Sequence, residues 1–470
     1  MNTNCHQQKL RLWLLVFSVA LPAITQAASP SRYKLIDLGT FGGNRSTVGF
    51  GSRFLSNRGT LVGVADTSAP DPNFDAVANA FSFLVANPFI EHAFKVEHGV
   101  TIDLGALPGL NSSQAFVVNA VGDTAGYSEN GLIDPLLGIP EVRAVLWRNG
   151  EIIDLGALGG NESQANDLNN RGQIVGTYAN AIADDFSFYG FGTQTRDFIW
   201  ENGVMQDLGT LGGPDAFDPR INERGQVAGD SYTDWTPNPT TGIPTVHPFL
   251  WDNGRMQDLG SLGGAFGAID WLNNRGQVVG LMTLPGDEVQ HPFLWDGAHL
   301  IDLGTLGGSN GEAIVVNDAG EVAGVADLPN GLHNAFLWKN GVMTDLGNLG
   351  VTSFPHGINS KGQVVGASRV SRVPSRTSAF LWEKGGPMVD LNTLIPPNSP
   401  LHLTFAERIN DRGEISGTGV PPGVSVDDVE ALRRHRPFVR LEGLPGRCDQ
   451  GFRTRVRAPG RNGIGDPGDA

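Results

Sequence analysis

The pattern Asp-Leu-Gly-x-Leu-Gly-Gly recurs along this chain, and it limits what the sequence can fold into more than any other feature. Successive copies start about 43 to 66 residues apart. A unit of this length cannot bury its own apolar face, so its repetition predicts stacked units or a closed ring. Six copies keep the pattern with small variations and two are weaker (DLGNLG and DLNTLI), starting at Asp37, Asp103, Asp154, Asp207, Asp258 and Asp302, then Asp345 and Asp390.

Each copy is followed by a turn and then by a short aromatic run such as HPFLW at 247–251. In the third unit, four short strands alternate with turns rich in Asn and Gly, which both tolerate the positive φ of a tight hairpin. We place these strands at Ser163–Asn169, Gln173–Tyr178, 197–200 and Val204–Leu208. The Asn-x-x-Gly turn is placed at Asn57, Asn119, Asn169, Asn222, Asn273, Asn317, Asn359 and Asn410.

Four-stranded units repeated four to eight times build a β-propeller. The sequence therefore predicts an all-β fold, a β-propeller of eight four-stranded blades. Its first strand, Tyr33–Leu38, has no earlier partner, and its last, Pro437–Leu441, has no later one. Pairing these two would close the ring through a blade shared by both termini and would leave no free sheet edge. Seven blades and a right-handed β-solenoid are the alternatives, because the first unit is irregular and the last anchor is degraded.

The two ends of the chain differ from the repeats. Lys9 and Arg11 precede an apolar run, and small residues before position 28 complete the pattern of a signal peptide over residues 1–27, with a membrane anchor as the alternative. Residues 28–442 then hold the propeller. Residues 443–470, rich in Arg, Gly and Pro, are expected to be disordered. We expect a secreted or periplasmic protein with no membrane span after signal removal.

The repeats resemble the HAF-type extracellular repeat, which is named for a His-Ala-Phe run present here at 92–94. Variants of this run begin at His247, His291 and Asn334, and the resemblance covers roughly residues 35 to 440. It implies an exported bacterial protein of a group whose functions are largely unassigned. It therefore bears on compartment and fold more than on activity.

Charge and motifs narrow the function classes. The net charge of −16 argues against nucleic acid, whose binders need a basic face. The two cysteines, Cys5 and Cys448, lie outside 28–442, so no disulfide is expected in the propeller. The sequence has no G-x-S-x-G elbow, no H-E-x-x-H helix and no P-loop. A monomeric binding protein is therefore expected rather than an enzyme.

Residues that recur in every unit are expected to be scaffold. The aspartate of each anchor should cap a turn by accepting backbone N–H bonds. The His of the HAF run shares its position with Arg, Asn and Ser in other units, which argues against a metal site, since metals need fixed donors. One repeat position holds tryptophans expected to pack between blades: Trp147, Trp200, Trp251, Trp295, Trp338 and Trp382.

Candidate functional residues lie where the units differ. Alternate connections of antiparallel strands fall on opposite faces, so the variable segments share one face, and segments on a rigid scaffold commonly carry the site. The segments within 127–246 are long and combine aromatic with acidic residues, which suits a sugar or a protein partner; alternatively, the rings pack onto the blade edge. These ligand-binding candidates are Tyr127, Asp184, Asp185, Phe188, Tyr189, Tyr232, Asp234 and Trp235.

A second variable position lies near the end of the first strand of each unit. If that strand lines a central channel, Asp167, Arg220, Trp271 and Arg408 could reach it, and we count Trp271 among the ligand-binding candidates. The alternative is that this position faces a neighbouring blade. No cofactor is expected; Asp184, Asp185 and Asp234 would suit calcium by donor type, but their spacing matches no EF-hand loop.

Together these features predict a secreted binding module. Its ligand is expected to be an extracellular or envelope polysaccharide, or a protein partner, on the face that carries the long segments. The alternative is a polysaccharide-active enzyme, a lyase or hydrolase, with a funnel site on that same face.

Overall fold

The structure is a computed structural model that describes residues 32–48, 53–74, 87–109, 111–373, 375–422 and 438–444. Over these residues it consists of 32 strands in eight four-stranded antiparallel sheets, with one short 3-10 helix at Leu391–Thr393. Successive sheets form the blades of a ring, so the predicted eight-bladed β-propeller is confirmed. The expected signal peptide lies outside the described residues, and so does the expected disordered tail apart from Gly443, which ends the last strand along the chain, and Leu444.

Each blade runs from an inner strand at the channel to an outer strand, in chain order. Blades 1 and 2 are built from β2 (Gly42–Thr47), β3 (Leu61–Pro70), β4 (Phe89–Glu97) and β5 (Val100–Gly105), then β6 (Ser113–Val118), β7 (Thr124–Ile133), β8 (Pro140–Arg148) and β9 (Glu151–Gly156). Blades 3 and 4 are built from β10 (Ser163–Leu168), β11 (Ile174–Ala183), β12 (Thr193–Glu201) and β13 (Val204–Asp207), then β14 (Ala216–Ile221), β15 (Val227–Pro237), β16 (Pro244–Asp252) and β17 (Arg255–Asp258).

The other half of the ring repeats this order. Blades 5 and 6 are built from β18 (Gly267–Leu272), β19 (Val278–Thr283), β20 (Gln290–Trp295) and β21 (Leu300–Asp302), then β22 (Gly311–Val316), β23 (Val322–Asp327), β24 (His333–Lys339) and β25 (Val342–Asp345). Blades 7 and 8 are built from β26 (Thr352–Ile358), β27 (Val364–Arg372), β28 (Ser375–Trp382) and β29 (Val389–Asp390), then β30 (His402–Ile409), β31 (Ile415–Val420), β32 (Phe438–Gly443) and β1 (Tyr33–Asp37).

Blade 8 joins the two ends of the propeller. Its outer strand β1 pairs with β32 in antiparallel register, from Tyr33 opposite Gly443 to Asp37 opposite Val439. Because the first strand completes the last sheet, no blade has to form from one terminus alone. The predicted closure is confirmed, and it decides the blade number in favour of eight.

The hydrophobic core is distributed between the blades. In one cluster, Val175 and Ile199 of blade 3 pack against Ile221 and Trp251 of blade 4. The repeated tryptophans contribute to such interfaces as expected, and Trp251 is only 8% exposed. No helix in the described part of the chain is long and apolar enough to cross a membrane.

The anchor aspartates cap turns, as the sequence predicts. Asp154 Oδ1 accepts the backbone N–H of Gly156 at 2.8 Å, and the other seven accept an N–H two residues ahead in the same way. In three blades the same carboxylate also contacts the HAF-position histidine; His247 Nδ1 lies 3.0 Å from Asp258. This histidine therefore belongs to the scaffold of its own blade.

The turn after each inner strand carries a buried asparagine that links neighbouring blades. Asn169 Nδ2 donates to the backbone carbonyl of Asn222 at 3.1 Å, and Asn222 donates to Asn273 in turn. Seven such links run from blade 2 to blade 8 and on to blade 1. In blade 1 the placement of this turn at Asn57 was wrong: Ser56 occupies the position, since its carbonyl accepts the N–H that closes the turn.

We call the face of the ring that carries these turns the turn face. The opposite face, which carries the Gly-Gly connections and the variable segments, is the loop face.

Candidate functional site

The variable segments of blades 2 to 4 are hairpin extensions, which the sequence did not predict. In blade 3, β11 and β12 stay paired up to Ala183 opposite Thr193, and in blade 4 the pairing reaches Pro237 opposite Pro244. The second strands of blades 5 and 6 have six residues each, against ten or eleven in blades 1 to 4. On the loop face, blades 1 to 4 therefore extend farther from the ring than blades 5 and 6.

Most of the predicted aromatic residues pack inside these extensions. Phe188 stacks on Phe217 of blade 4, with ring centroids 3.7 Å apart. Tyr189 donates from its hydroxyl to Asp218 Oδ1 at 2.9 Å, and Tyr232, which is fully buried, donates to the carbonyl of Phe186 at 3.1 Å. These rings form a small apolar core between blades 3 and 4, so Tyr232 cannot touch a ligand in this conformation.

The remaining candidates divide between packed and exposed positions. Tyr127 in blade 2 packs edge-on against Phe116, with centroids 5.5 Å apart, and burial raises the pKa of its hydroxyl. Asp185 and Asp234 are exposed, and the Trp235 side chain is 53% exposed at the end of β15. Of the predicted aromatic residues of the long segments, Trp235 alone offers an open ring face.

Asp184 and Asp215 form a buried carboxyl pair beneath the same segment. Asp215 accepts the N–H of Thr195 at 2.9 Å and that of Phe188 at 2.8 Å, and it hydrogen-bonds Asp184 when the pair shares a proton. Burial, with the charge of Asp184, raises the pKa of Asp215 to about 7. The contact that this pair makes between the blade 3 hairpin and blade 4 is therefore most stable when the pair holds a proton.

We expect Asp184→Asn to raise the free energy of unfolding at pH 8 by about 1–2 kcal/mol and to change it little at pH 5. In the folded protein Asp215 keeps its proton up to a pH of about 7, whereas in the unfolded chain it loses the proton near pH 4. The pair therefore lowers the free energy of unfolding as the pH rises from about 4 to 7. Urea denaturation at both pH values measures this, with exposed Asp185→Asn as the control. An equal effect of Asp184→Asn at both pH values would contradict it.

The hairpin extensions also carry exposed apolar side chains, of which the sequence analysis singled out only Trp235. Their exposed fractions exceed half, and they lie at the distal ends of blades 2, 3 and 4. The ends of blades 2 and 3 are neighbours, because a side chain on Gly192 would lie 4.0 Å from Leu136 Cδ2. We call this set the hairpin tips: Leu132 (59%), Ile133 (51%), Leu136 (67%), Ile182 (57%) and Trp235 (53%).

Trp271 reaches the central channel, which is one of the two placements that the sequence left open for its position. Arg408 of blade 8 and Arg53 of blade 1 flank its ring, 5.4 and 5.9 Å from the centroid. Arg53 also extends across the ring to within 3.5 Å of the carbonyl of Leu272 in blade 5. These side chains form the floor of a cavity of about 280 Å³ that opens on the turn face. Asp167 is instead buried, where it accepts the N–H of Ile221.

A group of buried carboxyls surrounds the channel wall on the loop side of this floor. Asp197 and Asp230 are 0% and 1% exposed, and Asp218 and Asp270 are half-buried. Burial first, and then the neighbouring acids, raises the pKa of Asp197, Asp230 and Asp270. Within the described residues no three or more His, Cys, Asp or Glu side chains are arranged as a metal site. Part of the signal for this group was available in the sequence, since Asp197 and Asp218 replace the small or apolar residues of most other blades.

The chain finds no match among protein-family models or curated protein sequences. Solved structures with similar folds are the β-propeller domain of the Trilobed protease from Pyrococcus furiosus, 8% identical over 72% of this chain and 99% of that chain with a TM-score of 0.42, and Porphyromonas gingivalis dipeptidyl peptidase 4, 13% identical over 85% and 62% with a TM-score of 0.45. A puromycin-hydrolyzing peptidase of Mycobacterium tuberculosis is 13% identical over 85% and 63%, with a TM-score of 0.42. The chain thus spans less than two thirds of either peptidase, and at these identities the likeness concerns the fold alone.

Proposed function

We propose that this protein is an exported interaction module that binds a protein partner through the hairpin tips of blades 2 to 4. The observation that carries the proposal is the exposure of five large apolar side chains on one raised side of the loop face. Contiguous exposed apolar side chains with polar surroundings mark interaction sites in soluble proteins. The export expected from the N-terminal sequence, together with the resemblance to HAF-type repeats, supports a location outside the cytoplasm for this activity.

The kind of side chain at the tips favours a protein over a polysaccharide. Four of the five tip residues are leucine or isoleucine, which bury well against apolar side chains of a partner. A sugar-binding face would instead expose flat aromatic rings and free polar groups. Here Phe188 is committed to Phe217, and Tyr232 is buried. Only Trp235 would serve both kinds of ligand, and Trp is also the residue most enriched at the energetic centres of protein interfaces.

A peptide selection tests this proposal even while the partner is unidentified. A phage-displayed random peptide library is selected on the immobilised protein, and the recovered peptides are titrated against the Leu136→Asp/Trp235→Ala variant. We expect apolar peptides to bind the wild-type protein and the variant to bind them at least about tenfold more weakly, because truncating interface anchors commonly costs about 2 kcal/mol. A glycan array on the same proteins provides the alternative ligand class.

The matched control is Val342→Asp, which changes an equally exposed side chain (64%) at the start of β25. This variant should keep wild-type peptide affinity, and all three proteins should share one melting temperature. Peptides that bind the tip variant as tightly as the wild type would contradict the proposal. So would glycan binding without any peptide binding.

A further inference from the structure

Two acids of this group, Asp197 and Asp218, stand where most other blades have small or apolar residues. Asp197 takes a position in the third strand that holds Ala or Pro in six other blades and Phe in blade 8, next to the residue that pairs with the glycine of the second strand. Asp218, in the inner strand of blade 4, replaces residues such as Ala165 and adopts a left-handed φ of 59°. Non-glycine residues in this conformation are strained and cluster at functional sites.

Asp197 is the member of the group that packing does not explain. It is 0% exposed, and neither Oδ1 nor Oδ2 has a hydrogen-bond partner among the described residues. Its carboxyl points across the blade 3–4 interface, where a side chain on Gly229 would lie 3.0 Å from Oδ2. Asp218 and Asp230, which directly follows Gly229, are the acids that interact with it most strongly. Leaving a carboxyl unpaired in a dry interior costs stability unless a ligand or a proton compensates.

The acids outnumber the cations that face them. Asp270 and Glu312 share a hydrogen bond on the inner strands of blades 5 and 6, and both are half-buried, so they line the open part of the wall. Arg220 makes no ion pair with a described carboxylate, and its buried Nε is unpartnered. The acidic groups in this region are Asp197, Asp218, Asp230, Asp270, Glu312 and Glu407. The basic groups that face them are Arg220, Arg408 and His356.

We propose that the loop side of the channel binds an organic cation, an alkylammonium or guanidinium group, between Asp218, Asp270 and Glu312, with Asp197 and Asp230 behind them. Such a group carries three to five N–H donors and meets several carboxylates at once. The hydroxyl of Tyr189, which donates to Asp218 Oδ1, borders the site. Trp271 and its arginines close the channel below, so the ligand enters from the loop face.

Binding is coupled to proton release. Burial, and for the three aspartates also the neighbouring acids, raises the pKa of Asp197, Asp230, Asp270 and Glu312, so the free protein keeps protons among these carboxyls, and an entering cation replaces those protons. The affinity for the cation therefore rises with pH. This inference is independent of the hairpin tips, and its variants leave every tip residue in place.

Isothermal titration with three probes tests the site: N-acetyl-lysinamide, N-acetyl-argininamide and glycinamide, which represent a lysine side chain, an arginine side chain and a free N-terminus. Each titration is run in two buffers of different ionisation enthalpy to measure proton release. We expect at least one probe to bind the wild-type protein with release of protons. The Asp270→Asn/Glu312→Gln variant should bind it about tenfold more weakly or worse, since hydrogen bonds to charged groups are lost.

The control makes the same chemical change at the other mouth of the channel, with Asp318→Asn and Glu223→Gln on the turn face. This control should bind the probe as the wild type does. A second variant, Asp197→Ala, introduces the alanine found at this position in other blades. It should raise the melting temperature at pH 8 and weaken the binding of the probe. Absence of binding by all three probes, or an equal loss in the turn-face control, would overturn the proposal, and so would a lower melting temperature of Asp197→Ala.

Discussion

Deletion of residues 32–37 is expected to lower the free energy of unfolding by at least about 5 kcal/mol, although the segment is only six residues long. It removes β1, whose five residue pairs complete blade 8. Tyr33 is 2% exposed and belongs to the core that blades 7 and 8 share, together with Leu381 and Leu391. Truncating one large core side chain typically costs about 3–5 kcal/mol, and the lost strand pairing adds to this. The deletion also exposes the edge of β32 and opens the ring.

Urea denaturation followed by tryptophan fluorescence measures this effect on the variant that lacks residues 32–37. Tyr33→Ala should give an intermediate loss of about 3 kcal/mol, because β1 can still pair. Lys34→Ala, on the same strand with an exposed side chain, should match the parent protein. A deletion variant with the parent's stability would show that the ring does not depend on the shared blade.

The fold could be predicted from the sequence because the residues that build it repeat. Aspartate caps such as Asp154, the turn asparagines and the interface tryptophans each have one local role that composition and spacing disclose. Eight rather than seven blades followed from the unpaired strand type at each end. The local pattern placed the turn of blade 1 wrongly, at Asn57 instead of Ser56. Only the hydrogen bond to the turn carbonyl distinguishes these two positions, and the sequence does not show it.

The candidate site was less predictable, because burial of a variable residue depends on what faces it. Phe188 and Tyr232 look like ligand contacts in the sequence, yet Phe217 packs against both, from the next blade onto Phe188 and within its own blade onto Tyr232. Conversely, Leu136 reads as an ordinary aliphatic residue, but the hairpin extension carries it into solvent. Asp197 did break the pattern of its unit visibly. Its importance emerges only from the neighbouring blade, which leaves both carboxylate oxygens without a partner among the described residues.

The belt of turn asparagines holds the ring together in a second way, which is independent of β1. Asn222 is fully buried and makes four side-chain hydrogen bonds. Its Oδ1 accepts the N–H groups of Arg224 and Gln226, while Nδ2 donates to Gln226 Oε1 and to the carbonyl of Asn273 in blade 5. One side chain therefore closes its own turn and connects two blades. A substitution here affects partners on both sides of a blade interface.

Asn222→Ala is accordingly expected to lower the free energy of unfolding by about 3 kcal/mol, since two backbone N–H groups and one carbonyl lose their partner away from water. Asn222→Asp separates the two roles, because it keeps both acceptor bonds but places a carboxylate oxygen against the carbonyl of Asn273. We expect it to lower the free energy of unfolding about as much as Asn222→Ala does. The loss should be smaller at pH 4 than at pH 8, because a protonated carboxyl can donate to that carbonyl. Ser360→Ala, an exposed change in the equivalent turn of blade 7, should stay within about 0.5 kcal/mol of the parent protein. Urea denaturation of the three variants decides the point. If Asn222→Asp matched the parent at pH 8, the contact between blades would contribute nothing and the asparagine would serve its own turn alone.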